Sequence, residues 1–159
     1  MTDLPLAVAI AAVVRDGKIL LIKRTKGDYI GLWGLPGGKI EKNEHLTDAA
    51  TREILEETGI QTSFQQHLGV VSEHLVENNQ VMQHFLLHVC ELYPQTMEIN
   101  PEDVDRVRWF DLEKLEEFKK QIIPSDIPMI ERLVKSVDKT HFNCIIEKVG
   151  NIHVLRKFE

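Results

Sequence analysis

Residues Gly37–Ile60 read GGKIEKNEHLTDAATREILEETGI, a glycine-rich turn followed by a helical pattern. Gly59 fits the left-handed position that follows a helix, so we expect a helix over about His45–Thr58. At about 100° per residue, one face of that helix carries three carboxylates: Glu53, Glu56 and Glu57. The opposite face carries the residues that we expect to be buried: Thr51, Ile54, Leu55 and Thr58. Burial of that face would anchor the helix with its carboxylates turned outward.

The three carboxylates stand where negative charge destabilises a helix. The C-terminal end of a helix carries partial negative charge, and an acidic side chain there costs about 0.3–1 kcal/mol. Glu53 and Glu57 also repel each other at i,i+4, and the pairing of Arg52 with Glu56 relieves only part of this. A solvated acidic face could carry such a cluster without function. Converging carboxylates also suit a hard divalent cation such as Mg²⁺, so the flanking residues have to decide between the two interpretations.

The flanking residues fit a long pattern, G-x5-E-x7-R-E-U-x-E-E-x-G-U, in which U is a bulky aliphatic residue. The residues that fill it are Gly38, Glu44, Arg52, Glu53, Ile54, Glu56, Glu57, Gly59 and Ile60. This pattern is the Nudix box, and the chain resembles the Nudix hydrolases at every specified position. Weaker family features extend from Leu6 to about Val134. The resemblance implies an α/β fold, the Nudix-type α/β/α sandwich with a mixed β-sheet between helices.

The same resemblance implies hydrolysis of the pyrophosphate linkage in a nucleoside diphosphate joined to another group. The implied catalytic residues are Arg52, Glu53, Glu56 and Glu57. The implied metal ligands are the Gly37 carbonyl, Glu53, Glu56 and Glu57, with Mg²⁺ as the ion and Mn²⁺ as the alternative. Arg52 would orient its neighbouring glutamates, and Glu44 would be structural or a secondary metal contact. Substrate contacts are expected from Arg24, where such proteins place a basic residue near the phosphates, and from Gly38 and Lys39.

The water that attacks phosphorus needs a general base within hydrogen-bond reach. The family resemblance allows a glutamate of the box or an acid from a later loop. Glu53 inside the box, and Glu102 and Asp105 outside it, are the candidates. The sequence leaves the choice among them open.

Length and composition indicate one domain, residues 1–159, with an ordinary soluble composition. The net charge of −6 argues against binding to a nucleic acid polymer or a membrane surface. The partner that the family resemblance implies is a small-molecule nucleotide. The apolar run Leu6–Val14 is too short to span a membrane. Cys90 and Cys144 form neither a disulfide framework nor a zinc spacing, which favours the cytoplasm.

The remaining chain alternates between strand and helix patterns. The predicted strands are Leu6–Val14 and Lys18–Arg24 around a turn at Asp16-Gly17, then Gln66–Val76 and Gln80–Leu92 joined around Glu77-Asn78-Asn79. Pro101–Asp111 resembles the segment with which many Nudix enzymes re-enter the sheet. His84 and His88 share one strand face, where packing or lining of a substrate pocket is expected rather than metal binding. A short helix is predicted over Asp111–Phe118, and a longer one over about Ile127–Val137.

Two features bear on substrate and assembly. Asp126 precedes the last helix, where it would contact the base of a nucleotide or act as an ordinary N-cap. The pattern over residues 142–158 predicts a C-terminal β-hairpin beyond the family core, with Phe142–Lys148 and Ile152–Phe158 as strands. A lone hairpin is marginal in water, so it would dock on its own domain or on a second copy as a homodimer.

The closest resemblance is to the MutT-like branch, which cleaves nucleoside triphosphates, oxidised ones such as 8-oxo-dGTP included, to monophosphate and pyrophosphate. The alternative is a pyrophosphatase of ADP-ribose or another nucleoside-diphosphate sugar. A non-catalytic Nudix-fold regulator that only binds nucleotides is the third interpretation. It would be expected to have a degraded box, and the box here is intact.

Overall fold

A mixed sheet of nine strands organises the protein in this computed structural model, which describes residues 3–136 and 138–159. The strands are β1 Leu6–Arg15, β2 Lys18–Lys23, β3 Trp33–Gly34, β4 Gly37–Lys39, β5 Thr62–Glu77, β6 Gln80–Pro94, β7 Val107–Asp111, β8 His141–Val149 and β9 Ile152–Phe158. The α-helices are α1 Leu46–Thr58 and α2 Asp126–Met129, the second of which continues as a π-helical segment, Ile130–Val134. Two 3₁₀ segments cover Pro101–Asp103 and Leu112–Gln121.

The strand order is β3-β2-β1-β6-β5-β8-β9, with β4 also paired to β1 and β7 also paired to β2. The pairs β1–β6 and β5–β8 are parallel, and the other pairs are antiparallel. The mixed sheet between helices that the sequence resemblance implied is therefore confirmed.

Strand β1 is buried on both faces, as its unbroken apolar run predicts. Val8 and Ala12 belong to the core under α2, whereas Ala9, Ala11 and Val13 belong to the core under α1. Each layer of helix thus has its own hydrophobic core, and β1 forms the floor of both.

Helix α1 matches the predicted helix, with His45 at its N-cap and Gly59 at φ 75° after its last residue. Ile54 and Thr58 are fully buried, as expected. The prediction that Leu55 is buried is wrong: its side chain is 47% exposed. The buried face is instead centred on Ile54 and the small residues Ala49 and Ala50, which let the helix approach the sheet closely.

The predicted hairpins around Asp16-Gly17 and Asn78-Asn79 are present, and all four of these residues have positive φ, as tight turns require. Strands β5 and β6 are longer than predicted because bulges between Phe64 and Gln66 and between His67 and Gly69 interrupt the polar alternation without ending the pairing.

The last helix differs from its prediction. It begins at Asp126 and leaves α-helical geometry after Met129, where the N–H of Lys135 donates to the carbonyl of Ile130, five residues back. Val137, the predicted end, lies outside the described residues. The predicted helix Asp111–Phe118 is the 3₁₀ segment that ends at Gln121, with the Asp111 carboxylate accepting from the N–H of Glu113.

The C-terminal hairpin docks on its own chain. Strand β8 pairs in parallel with β5, and β9 closes the edge beside it. Phe142, Cys144 and Ile146 point into the core under α2, so the apolar residues that suggested a second copy are already covered, while Ile152 near the turn stays 66% exposed. Within the described residues, no helix is long and apolar enough to cross a membrane.

Candidate active site

The N-terminal half of the box is built on close backbone contacts. Strand β4 pairs with β1, and a Cβ on Gly37 would overlap the carbonyl oxygen of Ala9. A Cβ on Gly38 would overlap the carboxylate of Glu53 on α1. Glycine is therefore required at Gly37, where the obstacle is backbone, whereas a side chain at Gly38 would displace the carboxylate of Glu53 from its place on the acidic face.

Arg52 ties this acidic face together. Its Nε and Nη2 atoms donate to the two carboxylate oxygens of Glu44, at 2.8 and 2.6 Å. Its Nη1 atom donates to Glu53 at 2.9 Å and to Glu56 at 3.2 Å, and Nη2 also reaches the carbonyl of Lys39 at 3.2 Å. The hydrogen bond from Arg52 is the main reason that the pKa of Glu44 is lowered to about 2. Glu44 is thus a fixed anion that orients Arg52, and Arg52 in turn orients Glu53.

The pKa of Glu57 is shifted in the opposite direction to that of Glu44. One of its carboxylate oxygens accepts a hydrogen bond from the N–H of Gly37 at 3.2 Å. Burial, and next the negative charge of Glu53, raise the pKa of Glu57 to about 7. A carboxylate held in this way is ready to gain a cation, because a nearby positive charge would restore its ionised form.

Glu53, Glu57 and Gly37 line one cavity of about 330 Å³. Its other lining residues are mostly basic: Ile22, Lys23, Arg24, Thr25, Lys26 and Arg106. Glu56 is not part of this lining; its side chain is 59% exposed and bound to Arg52. Among the described residues, no three His, Cys, Asp or Glu side chains converge as a ready metal site. The three carboxylates of the box therefore do not meet at one point in this arrangement.

The donors at the cavity nevertheless fit Mg²⁺. This ion takes oxygen ligands, keeps several waters, and is commonly held by one or two carboxylates together with substrate phosphates. The Glu53 and Glu57 carboxylates and the peptide of Gly37 supply oxygen donors, and Glu57 is buried beside another carboxylate, a repulsion that a bound cation would relieve.

Arg106 is a site residue that sequence reasoning missed. It donates to the backbone carbonyl of Glu57 at 2.9 Å and pairs with Asp103 at 2.7 Å, so it places a cation at the C-terminal end of α1. The i,i+3 spacing of Asp103 and Arg106 was the only signal in the sequence. The candidate bases Glu102 and Asp105 are exposed and line neither this cavity nor the one beside it.

A second cavity, of about 230 Å³, adjoins the first and shares Arg24 and Gly37 with it. It contains all four predicted substrate-binding residues: Arg24, Gly38, Lys39 and Asp126. The rest of the lining is largely apolar: Val8, Ile10, Leu35, Leu75, Phe85, Leu87 and Ile123, with Asp28, Tyr29, Glu73 and Ser125. The structure thus brings the predicted substrate residues together in one place.

The interpretation of Asp126 as an N-cap is wrong. Ser125 holds the cap position, and no side chain caps the helix. The Asp126 carboxylate instead accepts a hydrogen bond from the N–H of Leu35, 91 residues away in sequence, at 2.8 Å. The side chain is 7% exposed, and burial is the main cause that raises its pKa to about 7. Its contact with the base of a nucleotide stays a prediction.

His84 and His88 do not line either cavity. Phe85 and Leu87 of the same strand do, so the histidines lie on the opposite face of the sheet. There His84 bonds with the hydroxyl of Ser72 at 2.8 Å, and His88 with His67 at 3.2 Å. His84 and His88 therefore pack on the outer face of the sheet and do not line the pocket.

Comparison with known proteins identifies the chain's relatives. Residues 4–133 match the sequence model of the NUDIX domain. The chain is 31% identical over 112 residues to nucleoside diphosphate-linked moiety X motif 6 of Mus musculus, which covers 68% of this chain but only 36% of that protein. It is 30% identical to the CTP pyrophosphohydrolase of Escherichia coli, covering 78% of this chain and 87% of that one. It is also 29% identical to the oxidized purine nucleoside triphosphate hydrolase of Danio rerio, covering 65% and 64%.

The fold has a close counterpart among solved structures. A MutT protein from Bacillus halodurans superposes with a TM-score of 0.75, covering 97% of this chain and 96% of that one at 19% identity. At that identity the likeness concerns the fold alone, and it extends over the C-terminal hairpin that follows the matched domain.

Proposed function

The chain belongs to the Nudix hydrolase family, whose members act on nucleoside diphosphate-linked substrates, and from that premise we propose that it cleaves nucleoside triphosphates, 8-oxo-dGTP among them, to monophosphate and pyrophosphate. One observation carries the proposal: the two adjoining cavities meet at Arg24 and Gly37. One cavity is narrow and largely apolar, as a base requires, and the other combines carboxylates with basic side chains, as a metal-bound polyphosphate requires.

The residues divide the work between the two cavities. Arg24 stands at the junction, where it would contact the phosphates next to the sugar. Lys23, Lys26 and Arg106 surround the acidic cavity and would attract the remaining phosphates. Gly38 and Lys39 form the wall where the nucleoside would lie, and Asp126 would contact its base.

Nudix hydrolases generally need a divalent metal ion, usually Mg²⁺. We assign Glu53, Glu57 and the carbonyl of Gly37 as the residues that would hold it, with Mn²⁺ as the alternative ion. Glu56 belongs to the same proposed set, and its side chain would have to rotate away from Arg52 to take part. When bound, the metal neutralises charge on the phosphate oxygens as phosphorus is attacked. Arg52 keeps Glu53 in place throughout.

The attacking water needs a base, and Glu53 is the candidate that the geometry favours. It lines the cavity, whereas Glu102 and Asp105 do not. The carboxylate of Glu53 is held by Arg52 on one side and packs against Gly38 on the other. It is therefore fixed in direction, which general-base catalysis requires.

Two relatives support a nucleoside triphosphate by name, a CTP pyrophosphohydrolase and an oxidized purine nucleoside triphosphate hydrolase. A third supports the alternative: an ADP-ribose pyrophosphatase of Methanocaldococcus jannaschii is 45% identical, over a shorter stretch of 67 residues. The test is product release from dGTP, 8-oxo-dGTP, dCTP and ADP-ribose with Mg²⁺ and with Mn²⁺. We expect pyrophosphate from the triphosphates and little turnover of ADP-ribose. Turnover of ADP-ribose alone would overturn the proposal in favour of the sugar pyrophosphatase, and nucleotide binding without turnover would favour the regulator.

Assembly and location are further predictions. Because Phe142, Cys144 and Ile146 are covered by their own domain, the proposed homodimer would form only through the exposed tip of the hairpin, where Val149 and Ile152 are 52% and 66% exposed. Light scattering at tens of micromolar, roughly the range in which specific interfaces assemble, tests it.

A cytoplasmic setting is supported by Cys90 and Cys144, which are both free thiols.

A further inference from the structure

A cavity of about 600 Å³ lies between the C-terminal hairpin and the loop of residues 25–31. Asp28 and Tyr29 of that loop line this cavity, and they also line the cavity of about 230 Å³ that is proposed to take the nucleoside. The loop is therefore a wall that the two cavities share. Lys148 and His153, one from each strand of the hairpin, line the larger cavity as well.

The backbone of this loop is unusual. Gly27, Tyr29 and Gly31 have positive φ, at 74°, 65° and 87°. Such an angle is costly for a bulky residue like Tyr29 and persists only where surrounding contacts hold it. The N–H of Leu32 donates to the carbonyl of Tyr29 at 3.0 Å, and the N–H of Gly31 donates to the carbonyl of Arg24 at 2.8 Å. These bonds close the loop on itself, and contacts with the rest of the protein place it.

The hairpin supplies two such contacts. Lys148 and His153 are direct partners in the β8–β9 pairing, so their side chains leave the hairpin on the same face. Nε2 of His153 lies 3.2 Å from Oδ1 of Asp28, and Nζ of Lys148 lies 3.3 Å from the same oxygen. Because a carboxylate only accepts, the Nε2–H of His153 is the donor. The ring of His153 also packs on that of Tyr29, with the ring centroids 4.3 Å apart.

The same contacts set the charge of the wall. Asp28 lines the cavity that an anionic nucleotide would enter, and a carboxylate without a cation beside it would repel the phosphates. Lys148 offsets that charge from behind the loop. The hairpin can hold the loop firmly because β8 is paired in parallel with β5, and the side chain of His153 is only 8% exposed.

We propose that His153 is a positioning residue for the nucleotide: through Asp28 and Tyr29 it fixes residues 25–31 as a wall of the substrate cavity. The C-terminal hairpin then sets the affinity for the nucleotide without touching it. His153 lines neither the cavity proposed for the nucleoside nor the one proposed for the metal. Its loss should therefore weaken binding and leave the hydrolytic step nearly unchanged. The inference rests on the proposed function only in taking the ligand to be a nucleotide.

The first test reads the loop directly and needs no substrate. Hydrogen exchange followed by NMR reports opening of the loop through the amides of Gly31 and Leu32, which are hydrogen-bonded within it. We expect both amides to exchange at least about tenfold faster in His153→Ala than in the wild type, the effect of a lost hydrogen bond to a charged group. His141→Ala, at an exposed histidine of the same hairpin outside the cavity, is the matched control and should change neither. Unchanged exchange in a folded His153→Ala protein overturns the inference, whether or not triphosphates are hydrolysed.

The second test measures affinity with dGTP and ADP-ribose at saturating Mg²⁺. For the substrate that the wild type hydrolyses, we expect His153→Ala to raise KM at least about tenfold and to leave kcat within about twofold. His153→Gln keeps an N–H near the place of Nε2 and should restore most of the affinity. His153→Phe keeps a ring against Tyr29 without the donor and should restore less. If Phe restores as much as Gln, or if KM does not change, the histidine does not position the nucleotide through Asp28 and the inference fails.

A change from the other side of the contact guards against misfolding of the His153 variants. Asp28 is 38% exposed, so Asp28→Ala removes the contact without loss of core packing. We expect faster exchange of the loop amides in Asp28→Ala, and a double variant with His153→Ala that falls short of the sum of the two effects. Full additivity would show that His153 does not act through Asp28 and would overturn the inference. A wild type that hydrolyses neither substrate overturns the proposed function instead, and the exchange measurements then decide the inference alone.

Discussion

Arg52 donates hydrogen bonds to both carboxylate oxygens of Glu44, eight residues earlier in the chain, at 2.6 and 2.8 Å. This two-point contact fixes the plane of the guanidinium group, which leaves its third nitrogen directed at Glu53 and Glu56. Glu44 therefore acts on the proposed metal site through Arg52, and not by contact with the metal cavity, whose lining does not include it.

Glu44→Gln should weaken this positioning. The amide keeps one acceptor for Arg52 and loses the charge, so Arg52 is freer to move and Glu53 with it. We expect kcat to fall about 10- to 100-fold, the usual effect of removing a supporting contact behind a metal ligand, with KM little changed. Steady-state kinetics over a range of Mg²⁺ concentrations up to saturation measure this. Activity restored by raising the Mg²⁺ concentration would show that affinity for the ion, rather than orientation of Glu53, depends on Glu44.

Glu57→Gln should abolish most of the activity and leave the metal-free fold intact. The substitution removes a proposed metal ligand, and kcat should fall at least about 100-fold. It also removes a buried carboxyl group that sits beside Glu53, so the melting temperature in EDTA should hold or rise. Glu117→Gln, at an exposed position outside both cavities, is the control. Near wild-type turnover, or a metal-free protein that is strongly destabilised, would show that Glu57 has a structural role instead.

Asp126 should make stability depend on pH. Its pKa is raised from 3.8 to about 7 in the folded protein, so the folded state holds the proton more tightly than the unfolded chain. The stabilisation that this gives to the free energy of unfolding is fully present below about pH 3.8 and is lost as the pH rises through 7. We expect the free energy of unfolding to fall by about 2 to 3 kcal/mol between pH 5 and 8 on account of this group. Asp126→Asn, whose amide oxygen can still accept from Leu35, should remove that part of the slope. Chemical denaturation in EDTA at the two pH values measures the difference, and parallel profiles for the two proteins would contradict the assignment.

Arg106 gives a prediction about the phosphates. Arg106→Gln removes a cation from the acidic cavity and a donor to the carbonyl of Glu57. We expect KM for a nucleoside triphosphate to rise about tenfold, the effect of one lost charged hydrogen bond. Arg108→Gln is the matched control, because Arg108 follows Arg106 by two residues, lies on β7 and packs on Trp33, 4.8 Å from its ring. Equal effects of both changes would indicate loss of strand packing rather than of a phosphate contact.

The parts of the site that the sequence predicted are local ones. The helix over Glu53–Glu57 and its end at Gly59 follow from spacing along one short segment, and the structure has both. The prediction of a glycine-rich turn before the helix is wrong at Gly37 and Gly38, which belong to strand β4 and pair with β1. Leu55 was misplaced because helical periodicity shows that two faces differ and does not show where the sheet ends beneath them.

The parts that the sequence did not predict depend on distant pairings. The contact of Asp126 with Leu35 spans 91 residues, and that of Glu73 with Cys144 spans 71, through the parallel pairing of β5 with β8. Neither separation leaves a spacing rule that could be detected in one sequence. Glu73 did carry a weaker signal, since an acid at an inward position of an alternating strand is costly to bury unless it has a function.

The last prediction asks which edge of the base Asp126 contacts. 8-Oxoguanine gains an N7–H donor that guanine lacks, and the two bases share the edge that carries the ring N–H and the amine. The shared edge carries two adjacent N–H donors, so we expect the carboxylate of Asp126 to accept from that edge. Asp126→Ala should therefore lower kcat/KM for 8-oxo-dGTP and dGTP together, at least about tenfold, while Asp126→Asn retains more of both. If the Ala variant instead loses only its preference for 8-oxo-dGTP, Asp126 contacts the N7 edge.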